Sequence, residues 1–427
     1  MRIVLIAHYY PPINSSGAKR AESLSKYFTA LGHEVTVLTT RKSRVDGEFT
    51  EPVPKGVRLI ELDWAGREAP SVEAEGAFEP MYAGAPSWKR RLKDRVMAAL
   101  GQIPDPRLPF ALAFLSPWFA KPAQEAILKS DIVVGTTPPW PMLFAAYLCK
   151  LRFGARCILD YRDHFSECHE MPGGRLAKWL EKIIDRRLAN SADHVVCISD
   201  PMSHYYRSFT PNVQTILNGY DHEILDDARG VRVISKDGMV RIRYMGIVSP
   251  GRIPHNVLKA LVELQAKQPD LFQRLRFEVF GAASPLQEIL KTTYPEVSSA
   301  FSFFSPVRYL ESLQKIVEAD YLLFSETSST NTLSAQGILP TKLFEYIGSG
   351  RPILGDISPD TLAGGLLQKC NNQHIVGQSS DLFLAVMSKT SFYERVPDNV
   401  SPLSASLSRK AQAQQYADLI QKIIFKH

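Results

Sequence analysis

RIVLIAHYYPPINSSGAKRAESLSKYFTALGHEVTVLTT, residues 2–40, is the stretch whose reading decides the fold. Its first nine residues are a short apolar run suited to a buried strand, and PPINSSGAKR is a loop rich in turn residues. AESLSKYFTALG then spaces its apolar residues at helical intervals and stops at Gly32. HEVTVLTT reads as a second buried strand. Strand, loop, helix and strand in this order make a βαβ unit, and such a unit implies a parallel sheet.

The alternation continues outward from there. Strands are expected at 57–62 (VRLIEL), 131–137 (DIVVGTT), 156–162 (RCILDYR) and 193–199 (DHVVCIS), with the helix RLAKWLEKIIDRRLAN between the last two. The pattern then restarts with strands at 240–246, 276–282, 320–326 and 351–357 and helices near 254–268, 308–319 and 341–349. The expected fold class is α/β, with two Rossmann-like, doubly wound domains facing across a cleft. The first domain is expected over 1–222, with an insertion at about 64–127, and the second over 223–405. Their junction falls in NGYDHEILDD (218–227), a polar, turn-prone stretch. Residues 406–427 form a final helix expected to cross back onto the first domain.

Composition narrows the function classes. A chain of 427 residues suits two domains, and 45 % hydrophobic with 22 % charged residues describes an ordinary globular protein. No run reaches the roughly 18–20 apolar residues of a membrane-spanning helix; the longest, FALAFLSPWFA (110–120), is interrupted by Pro117. The apolar run at the amino terminus lacks the length and cleavage site of a secretory signal. Five scattered cysteines without a Cys-x-x-Cys pair argue against a disulfide framework or zinc site and suit a cytosolic protein. A net charge of +6 is too small to indicate nucleic-acid binding. Residues 88–101, beginning WKRRLKDRVMAAL, are basic and amphipathic. Two readings stay open for them: docking on a membrane surface or lipid-linked acceptor, or a surface helix packing its apolar stripe inward.

In open α/β sheets ligands bind beyond the carboxyl ends of the strands, so the loops there carry the candidate chemistry. After the first strand, Ser16 and Gly17 would let backbone approach a ligand at a helix start, though taken alone these residues read first as a plain helix-entry turn with Ser15 or Ser16 as cap. The loop is not G-x-G-x-x-G and gives no dinucleotide fingerprint. Arg162, Asp163 and His164 follow Asp160 and Tyr161 at another strand end. Such groups, if buried, need partners among themselves or in a ligand. In the second half, Gly246 ends a strand and Arg252 follows in a Pro-Gly loop, where a guanidinium could grip a diphosphate with paired hydrogen bonds. Gly281 ends the next strand, where backbone must come near something. Thr341 and Lys342 start a helix after Pro340, and Glu345 lies one turn further in, placed for two ribose hydroxyls.

These motifs resemble those of the retaining GT-B glycosyltransferases of family 4, in particular the branch that makes bacterial surface polysaccharides. The likeness runs through the opening AHYYPPINSSGAKRAESLSKYFTALGHEVTVLTTR, DYRDHF, VVCIS with ILNGYD, and PTKLFEYIGSGRPIL. The resemblance implies that Glu345 holds the ribose of a nucleotide-sugar donor and that Arg252 faces the diphosphate with the backbone of Thr341, Lys342 and Leu343. The loop ending at Val307 would receive the base, and Gly17 would lie against the donor sugar or phosphate. Arg162 and Asp163 fall where relatives carry a His-Asp pair near the reaction centre. Two positions depart from the family pattern: Gly337 stands where the first of two glutamates is usual, and Ile247 where an arginine is usual.

The expected partners are a nucleotide sugar, such as a UDP- or GDP-sugar, and a glycan or lipid-linked acceptor. No cofactor is expected. No Asp-x-Asp motif sits at a strand end, so transfer without a metal ion and with front-face retention is the expected chemistry. The alternatives are a sugar-nucleotide epimerase of the same fold and a non-catalytic partner subunit.

Overall fold

The computed structural model describes residues 1–15, 17–42, 49–69, 99–168, 173–234, 237–326, 339–371 and 373–425. Ser16, Gly337 and the basic stretch 88–98 lie outside these residues. The chain divides into two compact units, one holding residues 1–218 and the helix Arg409–Phe425, the other drawn from residues 219–408.

Seven strands form the sheet of the first unit: β1 (Arg2–Ile6), β2 (Glu34–Thr40), β3 (Arg58–Leu62), β4 (Ile132–Thr136), β5 (Cys157–Tyr161), β6 (His194–Cys197) and β7 (Val213–Thr215). They are parallel and ordered β3-β2-β1-β4-β5-β6-β7, with Ile3 opposite both Val35 and Ile132. β4 and β5 are buried along their whole length, which is why they read as unbroken apolar runs. Alternate residues feed two cores. Ile3 and Leu5 face the helices Lys19–Ala30 and Arg409–Phe425, whose Phe28 and Tyr416 rings meet edge to face at 5.9 Å. Val4 and Ile6 face the opposite layer, which includes Leu108–Ala113, Pro141–Phe153 and Arg175–Ser191. The final helix therefore belongs to the first unit, as expected.

The second unit repeats the plan with β8 (Val240–Met245), β9 (Leu275–Phe280), β10 (Phe301–Phe304), β11 (Tyr321–Ser325), β12 (Ile353–Asp356) and β13 (Ile375–Gly377). Their order is β10-β9-β8-β11-β12-β13, again parallel. β7, β10 and β13 escape a reading of the sequence because each is an edge strand of three or four residues, and in β7 and β10 most side chains stay partly in water. One element corrects the expected turn at the junction. His222–Gly230 is a helix, capped by the Asp221 carboxylate, which accepts from the Ile224 amide at 3.4 Å.

In both sheets the strand order reverses once, between β1 and β4 and between β8 and β11. Helices leave to opposite faces at such a point, so the carboxyl ends of the two central strands open a crevice there. Each candidate site is built around one of these reversals.

Candidate functional site

In the second unit, the end of β8 and the start of the helix Thr341–Ser349 are tied together. The Met245 amide donates to the Tyr346 hydroxyl at 2.8 Å, and Lys342 Nζ donates to the Tyr244 hydroxyl at 2.6 Å. The same ammonium lies 4.0 Å from the centroid of the Tyr244 ring. Burial pushes the Lys342 pKa down to about 7; the Glu326 carboxylate opposes this and the Arg252 guanidinium adds to it. Arg252 Nε donates to Glu326 Oε1 at 2.7 Å, so the two form an ion pair with Glu326 almost fully buried. Glu326 sits immediately beyond β11, the strand beside β8 at the reversal. Glu345 is buried one turn into the helix. Arg252, Glu326, Lys342, Tyr244 and Glu345 thus gather around the carboxyl ends of β8 and β11.

The two helix starts nearby differ in a way that matters for an anion. At the helix His255–Lys267, the Asp356 carboxylate accepts from the Asn256 amide and side chain, both at 2.8 Å, and from the Val257 amide at 3.4 Å. Its amides are already taken. Thr341–Ser349 starts after Pro340 with no side-chain cap among the described residues, and Lys342 adds a cation there. An uncapped helix start of this kind favours a phosphate through its amides and its dipole.

The two strand-end glycines are constrained in different ways. Gly281 has φ +138°, and a Cβ on it would collide with the carbonyl oxygen of Gly246. The Gly246 amide donates to the Phe280 carbonyl at 2.8 Å. What Gly281 comes near is the backbone at the end of the neighbouring strand β8. Gly246 has φ +106° with open space where a Cβ would sit, so conformation alone requires it. Val307 is half-buried in the loop between β10 and the helix Tyr309–Glu318. Thr341 is half-buried and Leu343 buried, with the Leu343 amide donating to the Pro340 carbonyl at 3.0 Å.

In the first unit the acids and cations after β5 divide their roles. Asp160 is fully buried and takes both Nε and Nη2 of Arg20, at 2.9 and 2.8 Å, and the Thr136 hydroxyl at 2.7 Å. Arg20 also donates to the carbonyls of Ile216 and Leu217. This pair joins the first helix to β5 and to the chain end of the unit. Arg162 points elsewhere: its amide donates to the Thr137 hydroxyl at 2.9 Å and its Nη1 to the Gly17 carbonyl at 2.5 Å. Arg162 and Gly17 are therefore brought together at the β1–β4 reversal. A Cβ on Gly17 would lie 3.0 Å from the Tyr9 ring, a tight approach within the protein. Asp163 is exposed, whereas His164 is 3 % exposed, with its ring against Tyr205 and Tyr206.

A buried acid braces the segment that follows. Asp185, on the helix Arg175–Ser191, accepts from the Tyr161 hydroxyl (2.9 Å), the Ser166 hydroxyl (2.7 Å), the Ser166 amide (3.2 Å) and the Tyr206 hydroxyl (3.2 Å). Burial raises its pKa to about 6, and these donors hold it from rising further.

Arg20, Tyr244 and Glu326 were not singled out from sequence. Glu326 carried a usable signal, being an acid at the very end of the apolar run YLLFS, like Asp160 in CILDY. Among the described residues, no three His, Cys, Asp or Glu side chains gather as a metal site would need, and no helix is long and apolar enough to cross a membrane.

Comparison with known proteins adds the class. Residues 17–219 match the family profile of the glycosyl transferase 4-like domain. No curated protein sequence matches the chain. Among solved structures, sucrose-phosphate synthase from Thermosynechococcus elongatus superposes with a TM-score of 0.61 at 13 % identity, covering 98 % of each chain. Anabaena HepE, solved in complex with UDP-glucose, gives 0.56 at 11 % identity over 98 % of this chain and 99 % of that one. UDP-GlcNAc 2-epimerase from Methanocaldococcus jannaschii gives 0.51 at 10 % identity over 99 % of each. The two parallel sheets and the returning helix make this the GT-B fold, and over 17–219 the chain is similar to the glycosyl transferase 4-like domain.

Proposed function

We propose that this protein is a glycosyltransferase that moves a sugar from a nucleoside-diphosphate donor to a glycan or lipid-linked acceptor in surface-polysaccharide synthesis. The observation that carries the reading is the cluster of Arg252, Lys342 and Glu345 around an uncapped helix start at the β8–β11 reversal. A diphosphate entering there would meet two cations and the amides at a helix start that no described side chain caps, with Glu345 one turn deeper for ribose hydroxyls. Arg252 exchanges part of its pairing with Glu326 for phosphate oxygen, and the incoming negative charge keeps Lys342 protonated. These groups stabilise the leaving diphosphate as the glycosidic bond breaks, the work a metal ion does elsewhere. Transfer then proceeds without metal and with retention, the departing phosphate taking the acceptor's proton.

Arg162 and Asp163 act in the first unit on the transferred sugar or acceptor hydroxyl. Gly17 shares that site through its carbonyl, and His164 holds the loop from beneath. The glycosyl transferase 4-like match over this unit supports the assignment. The test is donor turnover in EDTA, with UDP-, GDP- and ADP-sugars, with and without acceptor glycans. Acceptor-dependent release of nucleoside diphosphate in EDTA is the expected result. A donor converted without any acceptor would instead make this an epimerase, and activity restored only by magnesium or manganese would overturn the metal-free mechanism.

A further inference from the structure

The helix Arg175–Ser191 presents two unlike faces. Its inward face buries Ala177, Leu188 and Ala189 together with both of its acids. Glu181 takes the Lys178 ammonium at 2.8 Å and the Gln102 amide at 2.5 Å, and Asp185 takes the hydroxyls described above. With both acids turned in, the outward face carries cations and large apolar side chains and no acid of the helix. Leu176 and Trp179 are 70 % and 58 % exposed, and Leu180 and Ile183 are exposed beside them. These positions are i, i+3, i+4 and i+7, so the four side chains share one stripe about 100° wide. Arg175, Lys182 and Arg186 border one edge of it, Lys182 lying 3.6 Å from the Glu167 carboxylate, and Arg187 lies in line with the stripe at its carboxyl end; all four are exposed.

An ordinary surface helix keeps its apolar stripe inward and its charges outward. Here a second apolar stripe faces water, opposite the one that packs on the sheet. Contiguous exposed apolar surface of this kind marks a docking face. A second feature lies in the same layer. Trp118 is 82 % exposed just beyond the helix Leu108–Ala113, and that helix and Arg175–Ser191 both pack on Pro141–Phe153. One helical layer of the first unit thus shows two exposed tryptophans.

Charge selects the partner. A second copy meeting this face through a two-fold axis would set Arg and Lys against Arg and Lys with no acid of the helix to neutralise them. The cations suit anionic head groups, at the depth where an indole ring sits when its apolar body reaches the acyl boundary. We propose that the outward face of Arg175–Ser191 docks the protein on an anionic lipid surface, with Trp179 and Ile183 entering the interface and the bordering cations on lipid phosphates. This does not depend on the transfer reaction, and a soluble acceptor would report that activity separately.

The test is co-sedimentation of the full chain with vesicles of phosphatidylglycerol and phosphatidylcholine in equal parts, or of phosphatidylcholine alone. Two variants are compared with it: Trp179→Ser with Ile183→Ser, and Arg175→Gln with Arg186→Gln and Arg187→Gln. The unaltered protein should bind the anionic vesicles, more weakly as salt rises. The apolar variant should lose at least tenfold in partition and the charge variant its preference for anionic lipid. Both should keep the melting temperature and oligomeric state of the parent, because these side chains already face water. Failure of the parent to bind, or equal binding by all three proteins, overturns the proposal. So does a variant with a lowered melting temperature or altered oligomeric state and unchanged vesicle binding, since the stripe would then be covered by protein.

Discussion

Lys342 is the residue whose chemistry is most exposed to measurement. Its pKa of about 7 lies well below the ordinary 10.5, so the unfolded chain holds that proton more tightly than the folded one. Between those values the contribution of Lys342 to stability therefore rises with pH. Nucleotide binding has the opposite linkage. A diphosphate favours the ammonium, so above pH 7 binding takes up a proton, and affinity should fall by up to about tenfold per pH unit. Calorimetry of UDP, GDP or ADP at pH 8 in two buffers of different ionisation enthalpy measures that uptake directly. Lys342→Met should remove it. A flat affinity from pH 6.5 to 8.5 with no buffer dependence would separate this lysine from the diphosphate. Asp163 makes a different demand, because it belongs to the first unit and is exposed at the end of β5. Contacts made mainly in the transition state lower kcat on removal and leave ground-state binding intact. Asp163→Asn should keep nucleotide affinity within a few-fold and lose most transfer activity, with an unchanged circular dichroism spectrum. Near-normal turnover in a stable variant would take Asp163 out of the site.

At the scale of elements, the loop after β8 and the loop after β9 are fitted to one another through glycine. Gly281→Ala must relieve both a φ of +138° and a collision with the Gly246 carbonyl, whereas Gly246→Ala meets open space and only a φ of +106°. The first substitution should cost on the order of 2–4 kcal/mol and the second about 1–2 kcal/mol. Urea denaturation measures both, and equal losses would mean the backbone contact is not what constrains Gly281. The same loops show what a sequence can convey. The buried parallel strands were legible because both faces are covered and the runs are unbroken, as in CILDY and YLLFS. The edge strands β7, β10 and β13 were not, being too short for a period to register. The helix Thr341–Ser349 was legible from Pro340 to Gly350 because its start and stop are local signals; Gly350 closes it at φ +74°. The pairings of Arg252 with Glu326 and of Arg20 with Asp160 span 74 and 140 residues, and spacing along a chain carries no trace of such contacts. His164 shows the converse: its neighbours in sequence suggested a polar loop, and Tyr205 and Tyr206, about forty residues on, give it an aromatic bed.

At the scale of the whole molecule, two doubly wound units each place candidate groups at the single reversal in their strand order. The groups differ in kind. The second unit offers cations, an uncapped helix start and a buried glutamate, which suit a nucleoside diphosphate. The first offers Arg162 against the Gly17 carbonyl and an exposed carboxylate, which suit a hydroxyl-bearing substrate. That division is what a transferase of two substrates requires, and it rests on the nucleotide sitting where Glu345 can reach its ribose. Titration calorimetry of UDP, GDP and ADP into the parent chain and into Glu345→Ala tests this most directly. Loss of charge-assisted hydrogen bonds to two hydroxyls should weaken the preferred nucleotide by about 2–4 kcal/mol, roughly thirty- to a thousandfold, with the melting temperature of the ligand-free protein little changed. Nucleotide affinity unchanged in Glu345→Ala, or no nucleotide bound by the parent, would contradict the account.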